Sequence, residues 1–300
     1  MVEPKQAIDR INNVFGRHAG SRALHAKGRF YEGTFQAKEG AAASCRALHM
    51  QGDEIPVIVR FSDAMGNPKV GDGPPDVRGM AISFRLPDGS ATDLLGQTAP
   101  RFPFKTVEEF LSFTEIATAK RKIAGFVARH PGTLPGLLAN ARTPSVLLQK
   151  SFAEVTYYPI HAYKWIAPSG KESWVRYRFD PVATKRDRPE GDFSGKERLQ
   201  DELMARLARG PVHFELTAHI AAHDDDPHDP TSVWGKDSRH LEVGDITITG
   251  PMEDPEANGG LFVFDPTRIV DGIELSNDPI LHYRAKAYSE SVSRRIGEAG

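Results

Sequence analysis

The sequence predicts an α+β fold, an eight-stranded antiparallel β-barrel with helices packed around it. Three observations carry this prediction. About eight short segments alternate apolar and polar residues with the two-residue period of a strand. Turn signals such as Pro87-Asp88-Gly89 and Pro168-Ser169-Gly170 separate neighbouring segments and favour antiparallel return. A central stretch, residues 106–150, instead repeats apolar residues such as Val107, Phe110, Leu111 and Phe113 at helical intervals. A closed barrel of this kind can hold one ligand.

Residues 5–17 read as a short helix. In 22–35, small and apolar residues broken by Gly28 and Gly33 read as a bent strand. Val57, Val59 and Phe61 alternate with Ile58, Arg60 and Ser62, so a strand here turns Arg60 and Ser62 to one side. Residues 77–86 alternate similarly and run into the Pro87 turn. Pro131 and Pro135 interrupt the helical stretch that follows. Strand pattern returns at 157–166 and 173–179 as a hairpin. A helix over 194–208 precedes strands at 212–220, 245–250 and 261–264.

With 300 residues, 39% hydrophobic and 26% charged, the chain reads as one globular domain, 1–300. A net charge of -2, with no basic run interleaved with aromatics, argues against nucleic-acid binding. Cys45 is the single cysteine, which excludes an intramolecular disulfide or a CxxC site. No apolar run is long enough for a membrane span, and the start lacks a secretory leader pattern, so the expected compartment is cytoplasmic.

The strongest chemical signal is a stripe near the C-terminus. Asp278-Pro279 opens a helix on which Arg284, Tyr288, Ser291 and Arg295 follow at spacings of four, three and four. They share one face and place two guanidinium groups on either side of a phenol. A close arginine lowers an acid's pKa by roughly 1–3 units, which favours the phenolate form that binds ferric iron. His219, His223, Asp224, Asp225, Asp226, His228 and Asp229 have a metal-site composition but read as an acidic, proline-bounded loop. Trp165 and Trp174 read as barrel packing.

Five separated motifs then align in order. They are Arg22-Ala23-Leu24-His25-Ala26-Lys27-Gly28, Val59-Arg60-Phe61-Ser62, Asp76-Val77-Arg78-Gly79, Asp265-Pro266-Thr267 running to Gly272-Ile273-Glu274, and the element from Arg284 to Tyr288. Val233-Trp234 adds a sixth, shorter match. On these segments the chain resembles the haem catalase superfamily over most of its length. The resemblance implies a catalase-like barrel with haem b between barrel and C-terminal helix. Tyr288 is then the metal ligand, kept as phenolate by Arg284, and Arg22, Arg60 and Arg295 bind the haem propionates. Phe110 and Phe264 line the haem. His25 above the iron is the acid and base that moves the peroxide proton, and Ser62 orients its ring.

The chain also departs from that pattern. Catalases carry an Asn-Asn pair after Asp-Leu-Val-Gly, where this chain reads Asp93-Leu94-Leu95-Gly96-Gln97-Thr98. Gln97, or Thr98 with a shift of one, takes the peroxide-assisting position, so weak catalase activity is expected. The long N-terminal arm, most of the wrapping segment and the C-terminal helical region of full-length catalases have no counterpart here. A more open channel then admits organic peroxides and reducing donors, as in short family members described as catalase-related peroxidases, and a homodimer is expected. Gly235-Lys236 replaces a Pro-His pair of NADPH-binding catalases, so NADPH is not expected. The rival readings are a conventional catalase, an enzyme that rearranges fatty-acid hydroperoxides, and a non-enzymatic haem-binding protein.

Overall fold

Helix α1 (Pro4–Phe15) begins on a proline whose missing N–H costs a first helical turn nothing, and ends at Gly16, whose φ of 84° lies in the left-handed region. Ala7, Ile8 and Ile11 face inward from it. Strand β1 (Gly28–Ala37) and the short α2 (Glu39–Ser44) lead into three strands, β2 (Ile55–Asp63), β3 (Arg78–Arg85) and β4 (Ala91–Gln97). Four helices follow, α3 (Val107–Ile116), α4 (Lys120–Arg129), α5 (Leu134–Ala141) and α6 (Pro144–Leu147). Then come β5 (Tyr158–Pro159), β6 (Ala162–Ile166), β7 (Glu172–Pro181), α7 (Arg198–Leu207), β8 (Val212–Ile220), β9 (Arg239–Pro251), β10 (Ile273–Leu275) and the long α8 (Pro279–Glu298). This computed structural model describes residues 2–298 except 74, 118, 148, 236, 237, 258 and 259. Lys236, which bears on the NADPH expectation, therefore lies outside the described residues.

Among the described residues ten strands form one antiparallel sheet in the order β10-β6-β7-β8-β9-β1-β2-β3-β4-β5. The sheet curls. Tyr157, just before β5, exchanges two backbone hydrogen bonds of 2.9 Å with Phe179 of β7, so the β5 edge returns against the far side of the sheet. The inner face is aromatic: Phe61 meets Phe152 at 5.3 Å and Tyr157 at 5.8 Å between ring centroids, and Phe214 lies next to both Phe61 and Tyr157. A second, smaller cluster joins Ala7, Ile8 and Ile11 of α1 to Leu111 of α3 and Tyr283 of α8.

Several expectations need correction. The sheet has ten strands rather than eight, because β5 and β10 are pairings of two and three residues that carry little periodicity. The bent strand expected over 22–35 begins only at Gly28, so His25 lies in irregular chain ahead of β1. The strand expected at 157–166 breaks after Pro159, which has no N–H to continue the ladder. Residues 261–264 form no strand, and the Phe262 carbonyl accepts from Arg22 instead of a neighbouring strand. Among the described residues no helix is long and apolar enough to cross a membrane, and no three His, Cys, Asp or Glu side chains converge as metal ligands.

Candidate active site

Strand register builds the first half of the site. Gly28, Ser62, Gly79 and Gln97 stand opposite one another across β1, β2, β3 and β4, and residues paired this way share a face. Ser62 Oγ lies 2.9 Å from His25 Nδ1. The two glycines make the close approach possible. A Cβ on Gly79 would come within 2.8 Å of both His25 Nδ1 and Ser62 Oγ, and one on Gly28 within 2.7 Å of Arg60 Cζ. His25 adopts φ 54°, a left-handed conformation that costs a non-glycine residue about 1–3 kcal/mol unless its surroundings impose it. They do: its N–H donates to the Ala64 carbonyl at 3.0 Å, and its carbonyl accepts from Arg60 Nη1 at 3.0 Å.

This face gathers positive charge. Part of the His25 surface still meets solvent, but the ring lies deep among protein atoms. Burial first, then the charges of Arg60, Arg284 and Arg22, push its pKa down to about 3. The imidazole is therefore neutral at ordinary pH. Burial and the neighbouring Arg22 push Arg60 down to about 9, and burial also lowers Arg22. Phe30, directly opposite Arg60 in the register, lies under both guanidinium groups at 5.6 and 5.7 Å and stacks on Phe264 at 6.0 Å. Arg295 reaches the same neighbourhood from α8, where its Nη1 is 2.7 Å from Glu256 Oε1, an oxygen it shares with Arg22.

A single chain of hydrogen bonds builds the second half. Asp278 begins α8, and its Oδ1 accepts from the Ile280 and Leu281 N–H groups at 2.8 and 3.4 Å, satisfying donors that a helix start leaves open. Its Oδ2 lies 2.6 Å from Nδ1 of the buried His161. Burial holds the His161 pKa down to about 4 despite that carboxylate, so the ring is neutral, with Nδ1–H donating to Asp278. Nε2 then accepts from Arg284 Nη1 at 2.9 Å, and Arg284 Nε and Nη2 donate to Tyr288 Oη at 2.8 and 2.6 Å. Asp278→Ala should cost about 2–4 kcal/mol of stability, combining a lost cap with an unpaired buried imidazole N–H. Chemical denaturation of the variant measures it, and a loss below 1 kcal/mol would contradict this double role.

The structure brings His25, Ser62, Arg22, Arg60, Arg284, Tyr288 and Arg295 into one electrostatic neighbourhood, in which Arg284 acts on His25, and Tyr288 and Arg295 act on Arg22. It also separates Gln97 from Thr98. Thr98 is fully buried, with Oγ1 accepting from the Arg78 N–H at 3.0 Å, whereas Gln97 shares the face of Ser62. Phe110 packs against Phe102 and Phe104 and the α1 cluster. Sequence reasoning missed Phe30, His161 and Glu256 and saw in Asp278 only a helix start.

The catalase family model matches residues 1–299. A catalase-related peroxidase of Mycolicibacterium paratuberculosis is 42% identical over 99% of this chain and 96% of its own length, and one of Synechococcus elongatus is 29% identical over 98% and 89%. Catalase-2 of Bacillus subtilis is 25% identical over 92% of this chain but only 44% of its own length. The chain belongs to the catalase family.

Proposed function

We propose that the chain is a haem-dependent peroxidase that reduces organic hydroperoxides, and hydrogen peroxide, with an external electron donor and with minor catalase activity. The observation that carries this reading is the pairing of a neutral His25, held by Ser62, with an Arg284-bound Tyr288 in one cationic site. The residues fit a haem. The Nε atoms of Arg60 and Arg295 are buried with no partner, and Tyr288 Oη accepts two hydrogen bonds from the Arg284 guanidinium. Tyr288 would ligate the iron, and Arg22, Arg60 and Arg295 would hold the propionates. Bound haem b would supply the electron transfer that accompanies O–O cleavage.

In this reading His25 Nδ1–H donates to Ser62 Oγ, 2.9 Å away, which leaves Nε2 as the base. Nε2 takes the proton from the bound peroxide oxygen and returns it to the departing one. Gln97 presents an amide on the same face and donates to peroxide in place of an asparagine, one methylene longer. That longer reach is the reason for expecting slow dismutation.

Because the His25 pKa is depressed to about 3, the base form is complete well below the usual histidine range. Activity should be flat from about pH 5 upward, with its acid limb below that value rather than near ~6.5. A kcat/KM profile against an organic hydroperoxide tests this, and an inflection near 6.5 would contradict the assignment. The reaction itself is tested by comparing oxygen evolution from hydrogen peroxide with donor oxidation by an organic hydroperoxide on haem-loaded protein. Donor oxidation should dominate, and failure to develop a Soret band would end the reading.

A further inference from the structure

Arg22, Arg60 and Arg295 converge, and each guanidinium raises the cost of charging its neighbours: Arg295 lowers Arg22, and both lower Arg60. Glu256 relieves this. Its Oε1 lies 3.0 Å from Arg22 Nη2 and 2.7 Å from Arg295 Nη1, and its side chain is 17% exposed. Asp254, two residues earlier, acts on Arg22 and Arg60 through its charge alone. The counter-charge is incomplete, because the Nε atoms of Arg60 and Arg295 stay buried without a partner. An arginine can give two parallel N–H groups to one carboxylate. Glu256 instead spreads a single oxygen over two arginines.

We infer that Glu256 stands in for the haem propionates in the haem-free chain, holding Arg22 and Arg295 in place and competing with the incoming carboxylates for them. The inference rests on the haem reading above. Two propionates added to Asp254 and Glu256 set four anions against three guanidinium groups, and close like charges are costly. The carboxylate in contact therefore has to withdraw. Glu256 is a positioning residue that sets how readily the cofactor is taken up and held, and it does not act on peroxide.

Glu256→Gln keeps the size of the side chain and removes its charge. Titration of the haem-free protein, followed at the Soret band, should show the variant binding haem at least tenfold more tightly, equivalent to about 1.4 kcal/mol. Haem dimethyl ester, whose propionates carry no charge, should bind wild type and variant alike. In wild-type protein, hydrogen exchange over residues 254–257 should speed up on haem loading as Glu256 leaves the arginines, a readout that does not depend on the variant folding. Equal haem affinity, an equal gain with the ester, or unchanged exchange would each overturn the inference. If neither protein develops a Soret band, the haem reading falls and this inference with it, whereas equal bands in both remove Glu256 alone.

Discussion

His25→Asn should lower kcat/KM for an organic hydroperoxide by about 10²–10⁴-fold while haem uptake is retained. Asparagine is the informative replacement because it tolerates φ 54° better than most residues and can still bond Ser62, yet cannot carry a proton between two oxygens. The drop corresponds to about 3–5 kcal/mol of transition-state stabilisation. It should appear at the peroxide step in stopped-flow mixing, before any donor is added. A loss under tenfold would move the acid–base role away from His25.

Tyr288→Phe should abolish stable haem binding. The substitution removes the oxygen proposed to ligate the iron and leaves Arg284 Nε and Nη2 without the acceptor they share. Removing an outer partner of a metal ligand typically costs about 10–100-fold in affinity, so loss of the ligand itself should exceed that range. Soret titration measures it, with far-UV circular dichroism as the check that α8 still forms. Haem bound as tightly as in the parent chain would take the iron away from this helix.

Much of this was readable from local pattern. Strand β8 follows the expected 212–220, and the alternation around Arg60 and Ser62 turned both to the face that meets His25. The Arg284-to-Tyr288 spacing became a direct bidentate contact because i and i+4 side chains are helix neighbours. What local pattern could not show is long-range pairing. His161 meets Asp278 across 117 residues, and Glu256 meets Arg295 across 39, with no periodicity to announce either. The residues before β1 resembled a strand because they are small and apolar, while the left-handed turn at His25 is imposed by Ala64 and Arg60 from other elements. Where each of the two candidate positions sits likewise needed the register: Gln97 ends β4 in the row of Ser62, while Thr98 lies just past the strand with its hydroxyl accepting from the Arg78 N–H.

Asp278 uses one oxygen to start α8 and the other to steady the imidazole behind Arg284. Fraying at the start of that helix would therefore also loosen the hold on Arg284, and, with Tyr288 as the proposed iron ligand, heat should bleach the haem spectrum in step with the first loss of helicity. A substitution at Asp278 made to alter Arg284 through His161 would also weaken the start of the C-terminal helix.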